Sequence, residues 1–402
     1  MDRIALLKNP IQEYKWGSRT FIQKLLGKST PKGKTLAELW MGSHPHGPSQ
    51  VLWKGRWRLL SHLIEEDPER ILGSGVARRF HNQLPFLFKV LAAAKPLSIQ
   101  SHPNLRQAAK GFQREESLGI GPGAPERNYR DQNHKPEIFC ALKPTWVLKG
   151  FRNLTEIHAL MKKLGLSSQI DGLPPDLSRA LRENLEAFFT ALIELDQPHQ
   201  EKLILKVVSS IRRGSDAEPA FSWVIRLNRI FPDEVMVLSP LFLNLIHLKP
   251  GDAVMINPGT LHAYLGGAGV ELMANSDNVV RAGLTSKRKD MAELLRIVNF
   301  HQEDAKSLEP RKRDIIERSY PSEAREFVLS VISVGKQAPY TSPTIRSLEI
   351  MICVAGRGCI TDSRNGEPLP LTRGVSLLVP ASVDQYRIEG RATLYKAAVP
   401  SE

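Results

Sequence analysis

The chain has 402 residues, and this length exceeds what one hydrophobic core usually serves, so two or three domains are expected. Hydrophobic residues make up 42% of it, but no run of about 18 or more uncharged apolar residues is long enough to cross a membrane. The formal net charge is +13, yet the densest basic clusters, 287–289 and 311–313, are short and lack the interleaved aromatic residues of a nucleic-acid surface, so we expect no nucleic-acid partner and no membrane partner.

The cysteines and the first residues of the chain indicate in which cellular compartment the protein works. The chain contains three cysteines, Cys140, Cys353 and Cys359, whose wide spacing predicts no disulfide framework. Asp2 and Arg3 precede only a short apolar run, so no secretory signal is predicted. We therefore expect a cytoplasmic protein, and a monomer.

The first region, from residue 4 to about residue 152, is predicted to consist mainly of strands and loops. Its apolar runs are short and are interrupted by glycine and proline. Two stretches, 59–72 and 105–118, have the apolar spacing of helices, and Asn104 is placed to cap the second.

The second region, 153–235, has a different pattern. Leu154, Leu160 and Met161 begin a helical spacing, and residues 177–189 repeat apolar side chains three and four positions apart. This region is predicted to be a helical insert.

Strand-type alternation returns after the insert. It covers 241–248, and a turn at 249–252 and a strand at 253–256 follow. The last region, 327–398, contains short apolar runs separated by glycine, proline or asparagine, which predicts a compact β unit.

These regions predict a mainly β fold with an α insertion and three domains. Because His262 must meet residues of the first region to complete a ligand set, the catalytic domain is predicted to be discontinuous. It comprises 1–152 and 236–310, the helical insert comprises 153–235, and a C-terminal β domain comprises 311–402.

Four side chains of metal-binding type lie in this discontinuous domain: Gln100, His102, Glu137 and His262. Residues two apart in a strand point to the same side, so Gln100 and His102 would share a face, and two strands could aim their ligands at one point. Such residues more often form hydrogen bonds in a core. As ligands, they suit Zn²⁺ best, although Mn²⁺, Co²⁺ or Fe²⁺ would also be accepted. With no thiolate, an open position for water or substrate is expected.

Longer motifs surround these residues. Pro-Phe-Leu-Phe-Lys-Val-Leu at 85–91, Asn-His-Lys-Pro-Glu at 133–137 and Ala-Asn-Ser-Asp-Asn-Val-Val-Arg-Ala-Gly-Leu-Thr at 274–285 closely resemble the type I phosphomannose isomerases. The resemblance runs through most of the chain, except that 163–233 shows no matching motif. His46 also departs from it, since a lysine or a small residue is expected there.

The resemblance implies a zinc-dependent aldose–ketose isomerase that interconverts mannose 6-phosphate and fructose 6-phosphate through a cis-enediol. It implies a link between glycolysis and mannose and GDP-mannose metabolism. It also implies a cupin, jelly-roll-like catalytic barrel, with the C-terminal β domain as a second, metal-free cupin-like unit. One Zn²⁺ per chain, held by Gln100, His102, Glu137 and His262, and a catalytic role for Arg281 are implied in the same way.

Such an isomerisation needs a base and a group that stabilises the charge of an enediolate. A guanidinium stays protonated, so Arg281 suits stabilisation better than proton abstraction. Lys135 would share the face of Glu137 and is the first candidate for the base. The other candidates are Glu271, Tyr264 and His134.

The substrate phosphate and the sugar also need contacts. Ser98 lies on the predicted ligand face, and Lys89 and Lys287 offer positive charge near the motifs. Lys89 is the preferred phosphate contact, because an unpaired charge within its apolar run would be costly. Trp16 and Trp40 are candidates to line the sugar site.

Two other classes of protein fit a metal cupin. One is an enzyme with another reaction, such as an oxygenase or a sugar epimerase. The other is a catalytically silent sugar-phosphate sensor, which predicts the loss of a ligand or of Arg281, whereas all five residues are present. The sequence has no glycine-rich loop with Lys and Ser/Thr that would cradle a phosphate. A fused sugar-nucleotide synthetase is therefore not predicted.

Overall fold

The computed structural model describes residues 1–29, 33–165, 184–214, 217–335, 338–364 and 366–400. Part of the helical repeat predicted at 177–189 lies outside these residues, because 177–183 are not described.

The described strands fall into an N-terminal set, a set that follows the helical region, and a C-terminal set. In chain order they are β1 (Ala5–Lys8), β2 (Ile11–Gln12), β3 (Glu38–Met41), β4 (Gln50–Trp53), β5 (Arg56–Leu59), β6 (Phe86–Ala93), β7 (Ile99–Ser101), β8 (Glu137–Ala141), β9 (Thr145–Phe151), β10 (Leu243–Leu248), β11 (Ala253–Ile256), β12 (His262–Ala274), β13 (Val280–Gly283), β14 (Arg311–Lys312), β15 (Glu317–Ser319), β16 (Val328–Val334), β17 (Tyr340–Thr341), β18 (Glu349–Asp362), β19 (Leu369–Thr372), β20 (Ser376–Val379) and β21 (Tyr386–Ala398).

The described helices are mostly short and concentrate between β9 and β10. They are α1 (Phe21–Leu25), α2 (Leu60–Glu66), α3 (Pro68–Leu72), α4 (Ser74–Arg79), α5 (Leu105–Ser117), α6 (Leu154–Lys163), α7 (Leu185–Ile193), α8 (Gln197–Arg213), α9 (Pro219–Ile230) and α10 (Met291–Ile297), with a 3₁₀ helix at Val235–Leu241. Among the described helices, none combines the length and the apolar character needed to span a bilayer.

All strand pairs between these elements are antiparallel, and they form two sheets. A ten-stranded sheet has the order β10-β9-β12-β6-β3-β2, with β7, β8, β11 and β13 attached around β12. An eleven-stranded sheet has the order β14-β15-β16-β21-β18-β20-β1-β4-β5, with β17 and β19 attached to its long strands. The predicted mainly β fold with a helical region is therefore confirmed. The predicted catalytic barrel needs correction, because the strand pairing of the described residues gives two sheets and no closed ring.

The long strand β12 organises the ten-stranded sheet. Its first residues pair with β7 and β9, and its later residues pair with β6 and β8. The two halves meet at Gly266 and Gly267, whose φ angles of 157° and 133° are open to glycine but not to most residues. A Cβ on Gly267 would lie 2.2 Å from Thr145 Oγ1. These glycines let one strand supply His262 to one group of strands and Glu271 to another.

The predicted domain boundaries remain a prediction, and the sheets do not follow them. β1, β4 and β5 of the N-terminal region join the sheet of the C-terminal region, because Ala5 pairs with Leu378 and Leu7 pairs with Val51. A core of buried side chains from both regions joins them further, including Phe88, Leu272 and Ile350.

The two N-terminal helix predictions have different outcomes. The helix at 105–118 is confirmed as α5, and Asn104 caps it in a reciprocal capping box with Gln107. The helix at 59–72 is interrupted. Asp67 ends α2 and caps α3, whose first residue is Pro68, because proline suits the first turn of a helix but not its interior.

The helices from α6 to α9 pack through one apolar core against the ten-stranded sheet. Phe188, Val207 and Leu227 of the helices share this core with Leu148 and Leu261 of the sheet region. The helical region thus packs against the part of the sheet that contains β7, β9 and β12, the strands that carry polar side chains.

A buried ion cluster lies in the C-terminal sheet. Lys396 Nζ is 2.9 Å from Glu317 Oε1 and 3.1 Å from Glu349 Oε1. The hydroxyl of Tyr340 donates to Glu317, and that of Tyr386 donates to Glu349. One lysine therefore neutralises two carboxylates in a site that water does not reach.

Replacing Lys396 with Met is expected to lower the free energy of unfolding by about 3 to 5 kcal/mol, because the substitution removes the cation beside the buried Glu317 and leaves Glu349 only the more distant Arg346, at 3.9 Å. Urea unfolding followed by circular dichroism measures the change. Lys249→Met is the matched control, since Lys249 is exposed in a turn. Equal unfolding midpoints for the two variants would contradict a stabilising role of the cluster.

Candidate metal centre and active site

A row of polar side chains crosses three adjacent strands of the ten-stranded sheet. Gln100 of β7 pairs directly with His262 of β12 on one side and with Arg281 of β13 on the other. Directly paired residues in antiparallel strands point to the same face. The sheet therefore places Arg281, Gln100 and His262 side by side on one surface.

His102 and Glu137 complete the predicted ligand set. Glu137 Oε1 lies 3.4 Å from His102 Nε2, and Glu137 Oε2 lies 3.4 Å from His262 Nε2. Gln100 Nε2 lies 3.4 Å from His262 Nε2. The donor atoms of His102, Glu137 and His262 all lie within 4.8 Å of one another, and all three residues are buried. The four residues predicted from sequence converge on one point.

Backbone carbonyls orient the two imidazoles. Asn278 O lies 2.7 Å from His102 Nδ1, and Thr260 O lies 3.0 Å from His262 Nδ1. A carbonyl can only accept, so each Nδ1 carries the proton and each Nε2 presents its lone pair toward Glu137. This is the tautomer that a metal-ligating histidine needs.

The charge states also suit a cation. Burial lowers the pKa of His102 to about 4, so its imidazole is neutral at pH 7. Burial alone would raise the pKa of Glu137, but Lys135 and His102 hold it well below its usual range. The cluster thus places the neutral His102 imidazole beside an ionised carboxylate.

The polar atoms of this cluster fit a divalent cation. His102 Nε2 and Glu137 Oε2 are buried and have no hydrogen-bond partner among the described residues, which is costly unless another group satisfies them. Turning the Gln100 amide by half a turn would present its Oε1 to the same point, since amide oxygen and nitrogen are assigned and not observed. Two imidazoles, a carboxylate and an amide oxygen are a donor set that suits Zn²⁺.

The predicted base candidates surround these donors. Lys135 Nζ is buried and lies 3.3 Å from Glu137 Oε1. The Tyr264 hydroxyl is buried without a hydrogen-bond partner in the described structure, and burial raises its pKa. His134 is directed elsewhere, because its Nε2 pairs with Glu326 Oε1 at 2.9 Å.

A second row of polar side chains lies in β3, β6 and β12. Lys89 pairs with Trp40 on one side and with Glu271 on the other. Lys89 Nζ lies 3.1 Å from Glu271 Oε2, 3.8 Å from Glu38 Oε1 and 5.5 Å from the centre of the Trp40 ring. The Trp40 Nε1–H donates to Glu38 Oε2 at 2.7 Å.

This row corrects the expectation for Lys89. Lys89 is the preferred phosphate contact from sequence, because an unpaired charge in its apolar run would be costly. In the structure two buried carboxylates pair with Lys89, and they raise its pKa although burial opposes this. Burial in turn raises the pKa of Glu271. Sequence reasoning missed Glu38, whose only signal is a carboxylate at the start of the apolar strand Glu-Leu-Trp-Met.

A group of cations lies at the other end of the first row. Burial lowers the pKa of Arg281 and Lys287, and Arg130 lowers both further by repulsion. None of these three side chains forms an ion pair within the described residues. Arg130 was missed from the sequence, because it lies in the loop 121–136, which carries no strand or helix pattern.

The remaining predicted contacts lie near the same strands. Ser98 is half-buried immediately before β7. Trp16 packs against the apolar cluster that contains Phe139 and Tyr264. Both positions border the strands that carry the metal ligands.

Comparisons with known proteins agree with this arrangement. A model of the family described as phosphomannose isomerase type I, catalytic domain, matches residues 4–154. The chain is 36% identical over 395 residues to a mannose-6-phosphate isomerase of Escherichia coli (strain K12), with 96% of this chain and 97% of that protein covered. It is 33% identical over 408 residues to a mannose-6-phosphate isomerase of Homo sapiens, with 94% of each covered.

Solved structures are similar over the whole chain. A crystal structure of zinc-bound mannose 6-phosphate isomerase superimposes with a TM-score of 0.91 at 34% identity, over 99% of this chain and 100% of that one. A structure of the Salmonella typhimurium enzyme bound to fructose 6-phosphate and zinc gives the same TM-score, identity and coverage.

Proposed function

The chain belongs to the type I phosphomannose isomerase family, and from this premise we propose that it is a zinc-dependent enzyme that interconverts mannose 6-phosphate and fructose 6-phosphate. One observation carries the proposal: two histidines in the metal-binding tautomer meet a buried carboxylate with unpaired donor atoms, beside the half-buried Arg281.

We assign one Zn²⁺ per chain to Gln100, His102, Glu137 and His262. When bound, zinc would polarise the carbonyl and hydroxyl oxygens of the sugar and stabilise the charge of an enediolate.

The residues around the ligands supply the rest of the reaction. We assign to Lys135 the removal of the proton from C2 of the aldose and the delivery of a proton to C1, because its Nζ is buried beside the ligand Glu137. The amine acts as a base only in its neutral form, which a divalent cation bound at Glu137 would favour by repulsion. Glu271 and Tyr264 are the alternative bases. The ion pair with Lys89 holds the Glu271 carboxylate in place, and Trp40 and Trp16 border the sugar site.

The phosphate is assigned to the cation group of Arg130, Arg281 and Lys287, with Ser98 as a further hydroxyl contact. Three neighbouring cations without an anionic partner in the described residues repel one another, and a bound dianion relieves this repulsion. This assignment replaces Lys89 with Arg130.

The proposed reaction is tested by a coupled assay that detects fructose 6-phosphate formed from mannose 6-phosphate. A sugar epimerase acting at C2 would form glucose 6-phosphate instead, and a silent sensor would bind without turnover. With substrate deuterated at C2, any label lost to water supports proton transfer through an enediol, because a hydride shift would move all of the label to C1.

Prolonged treatment with a strong chelator is expected to abolish this activity, and added Zn²⁺ is expected to restore it. The reason is that the enediolate charge then lacks its main stabiliser. Full activity in protein shown by mass spectrometry to be metal-free would rule out the zinc-dependent mechanism.

Lys287→Met is expected to raise KM for mannose 6-phosphate by about 10-fold to 100-fold, the range of one lost charge-assisted hydrogen bond. The matched control is Lys289→Met, because Lys289 already pairs with Glu234 at 3.0 Å. An unchanged KM in Lys287→Met would remove Lys287 from the phosphate site.

We further propose a cytoplasmic monomer that acts on sugar phosphates without a nucleic-acid partner and serves GDP-mannose biosynthesis. The three free cysteines suit a reducing compartment. In the basic cluster 287–289, Arg288 pairs with Asp290 and Lys289 pairs with Glu234, which leaves little free charge for phosphate backbones. Light scattering in solution measures the oligomeric state.

A further inference from the structure

A second group of metal-binding side chains lies apart from the catalytic donors. It consists of His44, His46 and Asp277, whose donor atoms all lie within 4.8 Å of one another. Asp277 Oδ1 is 3.5 Å from His44 Nε2, and Asp277 Oδ2 is 3.1 Å from His46 Nδ1. One carboxylate thus faces two imidazoles, as Glu137 does in the catalytic group.

These separations suit one shared cation. Zinc–nitrogen and zinc–oxygen bonds of about 2.0 to 2.2 Å at tetrahedral angles place neighbouring donor atoms about 3.4 Å apart. The 3.5 Å and 3.1 Å distances, each to a different oxygen of Asp277, lie close to that value. The 3.5 Å distance is also long for a direct hydrogen bond.

Two of the three donors are fixed by contacts outside the group. The Trp40 ring packs against the edge of His44, with ring centres 5.1 Å apart. The backbone N–H of Asp277 donates to Asp131 Oδ2 at 2.8 Å. A ligand would therefore meet donors that are already in place, and little side-chain order would have to be gained on binding.

Exposure differs along the group. The side chain of His44 is 4% exposed, that of Asp277 is 31% exposed and that of His46 is 64% exposed. An ion held here would be reached from the His46 side and would keep positions for water. Burial lowers the pKa of His44, so its imidazole is neutral and available as a donor.

One contact limits the affinity. The backbone N–H of His46 donates to His44 Nδ1 at 3.3 Å, which favours the tautomer with the proton on Nε2. A cation at Nε2 requires the proton on Nδ1, so this long contact would open. In the catalytic group, by contrast, both Nδ1 atoms face carbonyls.

We propose that His44, His46 and Asp277 form a second site for a divalent transition-metal cation, with Zn²⁺ as the ion that suits two imidazoles and one carboxylate best. The site binds more weakly than the catalytic group, because it has three protein donors, an exposed ligand and a tautomer that must change. The site adjoins the proposed sugar site, because His44 packs against Trp40, but its zinc content is measured separately from isomerase activity.

The test counts zinc bound to the purified holoenzyme. The protein is dialysed to equilibrium against buffers of increasing free Zn²⁺, and bound zinc per chain is measured by mass spectrometry. A second equivalent is expected at higher free zinc in the unmodified protein and is expected to be lost in His46→Ala, while the first equivalent stays. His46 is exposed, so its removal leaves the core unchanged.

Two further variants make the test specific. His199→Ala is the matched control, because His199 also pairs with a carboxylate, Asp196 at 2.6 Å, but among the described residues that pair belongs to no group of three metal-binding side chains. It is expected to keep the second equivalent. Asp277→Asn is expected to lose it, since the carboxylate is removed while the backbone bond to Asp131 can remain.

Co²⁺ supplies an optical readout of the same site. Titration of the zinc-loaded holoenzyme with Co²⁺ is expected to produce visible absorption bands that are missing in His46→Ala and retained in His199→Ala. A single equivalent of zinc at every free concentration, or a second equivalent that persists in both His46→Ala and Asp277→Asn, would overturn the proposal. In either case the group is an ordinary histidine–aspartate contact.

Discussion

His262→Ala is expected to lose bound zinc and isomerase activity together. His262 supplies one of the two imidazole donors, and Thr260 O fixes its ring so that Nε2 faces Glu137. The three remaining donors would hold the ion less rigidly. Because charge stabilisation by a metal is worth several kcal/mol, activity at low free zinc should fall by about three orders of magnitude or more. Zinc content by mass spectrometry and the fructose 6-phosphate assay measure both effects.

The matched control is His247→Ala. His247 lies in β10 of the same sheet, but it is exposed and stacks on Trp146 with ring centres 4.4 Å apart. We expect this variant to keep both zinc and turnover. Tightly held, stoichiometric zinc in His262→Ala would argue against His262 as a ligand, whereas zinc loss with normal turnover would argue against a catalytic ion.

The sequence predicted the classes of structure better than their boundaries. Alternating apolar residues and glycine-rich turns indicate strands in any context, and the asparagine before Leu105 marks the start of α5. Sheet membership is a different problem. Nothing in the Ala-Leu-Leu-Lys pattern of β1 shows that it pairs with Ser376–Val379, more than 360 residues later, because long-range pairing depends on which apolar faces meet in the folded core.

The candidate site shows the same division. The four candidate ligands were implied by the resemblance, since each lies in a short stretch that matches a family motif. The partners of charged side chains do not follow in this way. From sequence, Lys89 is an unpaired charge in an apolar run. In the fold, Glu271 reaches it from the neighbouring strand β12, and Glu38 lies two strands away from Glu271. Only the strand register reveals that these three groups neutralise one another.

Arg281→Lys is expected to keep zinc and folded structure while turnover falls. Lysine retains one positive charge but lacks the planar guanidinium that can hold two oxygens at once. Arg281 lies beside Gln100 on the ligand face. An enediolate bound at the metal would therefore lie next to the Arg281 side chain. If the lost interaction forms mainly in the transition state, kcat should decrease by about two orders of magnitude or more, with a smaller change in KM.

The structure also offers a competing role for Arg281, which lies close to two other cations. Arg130 lowers the pKa of Arg281 by repulsion, and Arg281 in turn lowers the pKa of Lys287. A phosphate bound by all three cations would make Arg281 a binding residue, and its replacement would then raise KM and leave kcat unchanged. Arg288→Lys is the matched control, since Arg288 lies in the segment that follows β13 and pairs with Asp290 at 3.1 Å. Arg281→Lys and Lys287→Met should therefore differ in kinetic pattern if Arg281 acts on the reacting carbons, and they should share one pattern if both residues hold only the phosphate.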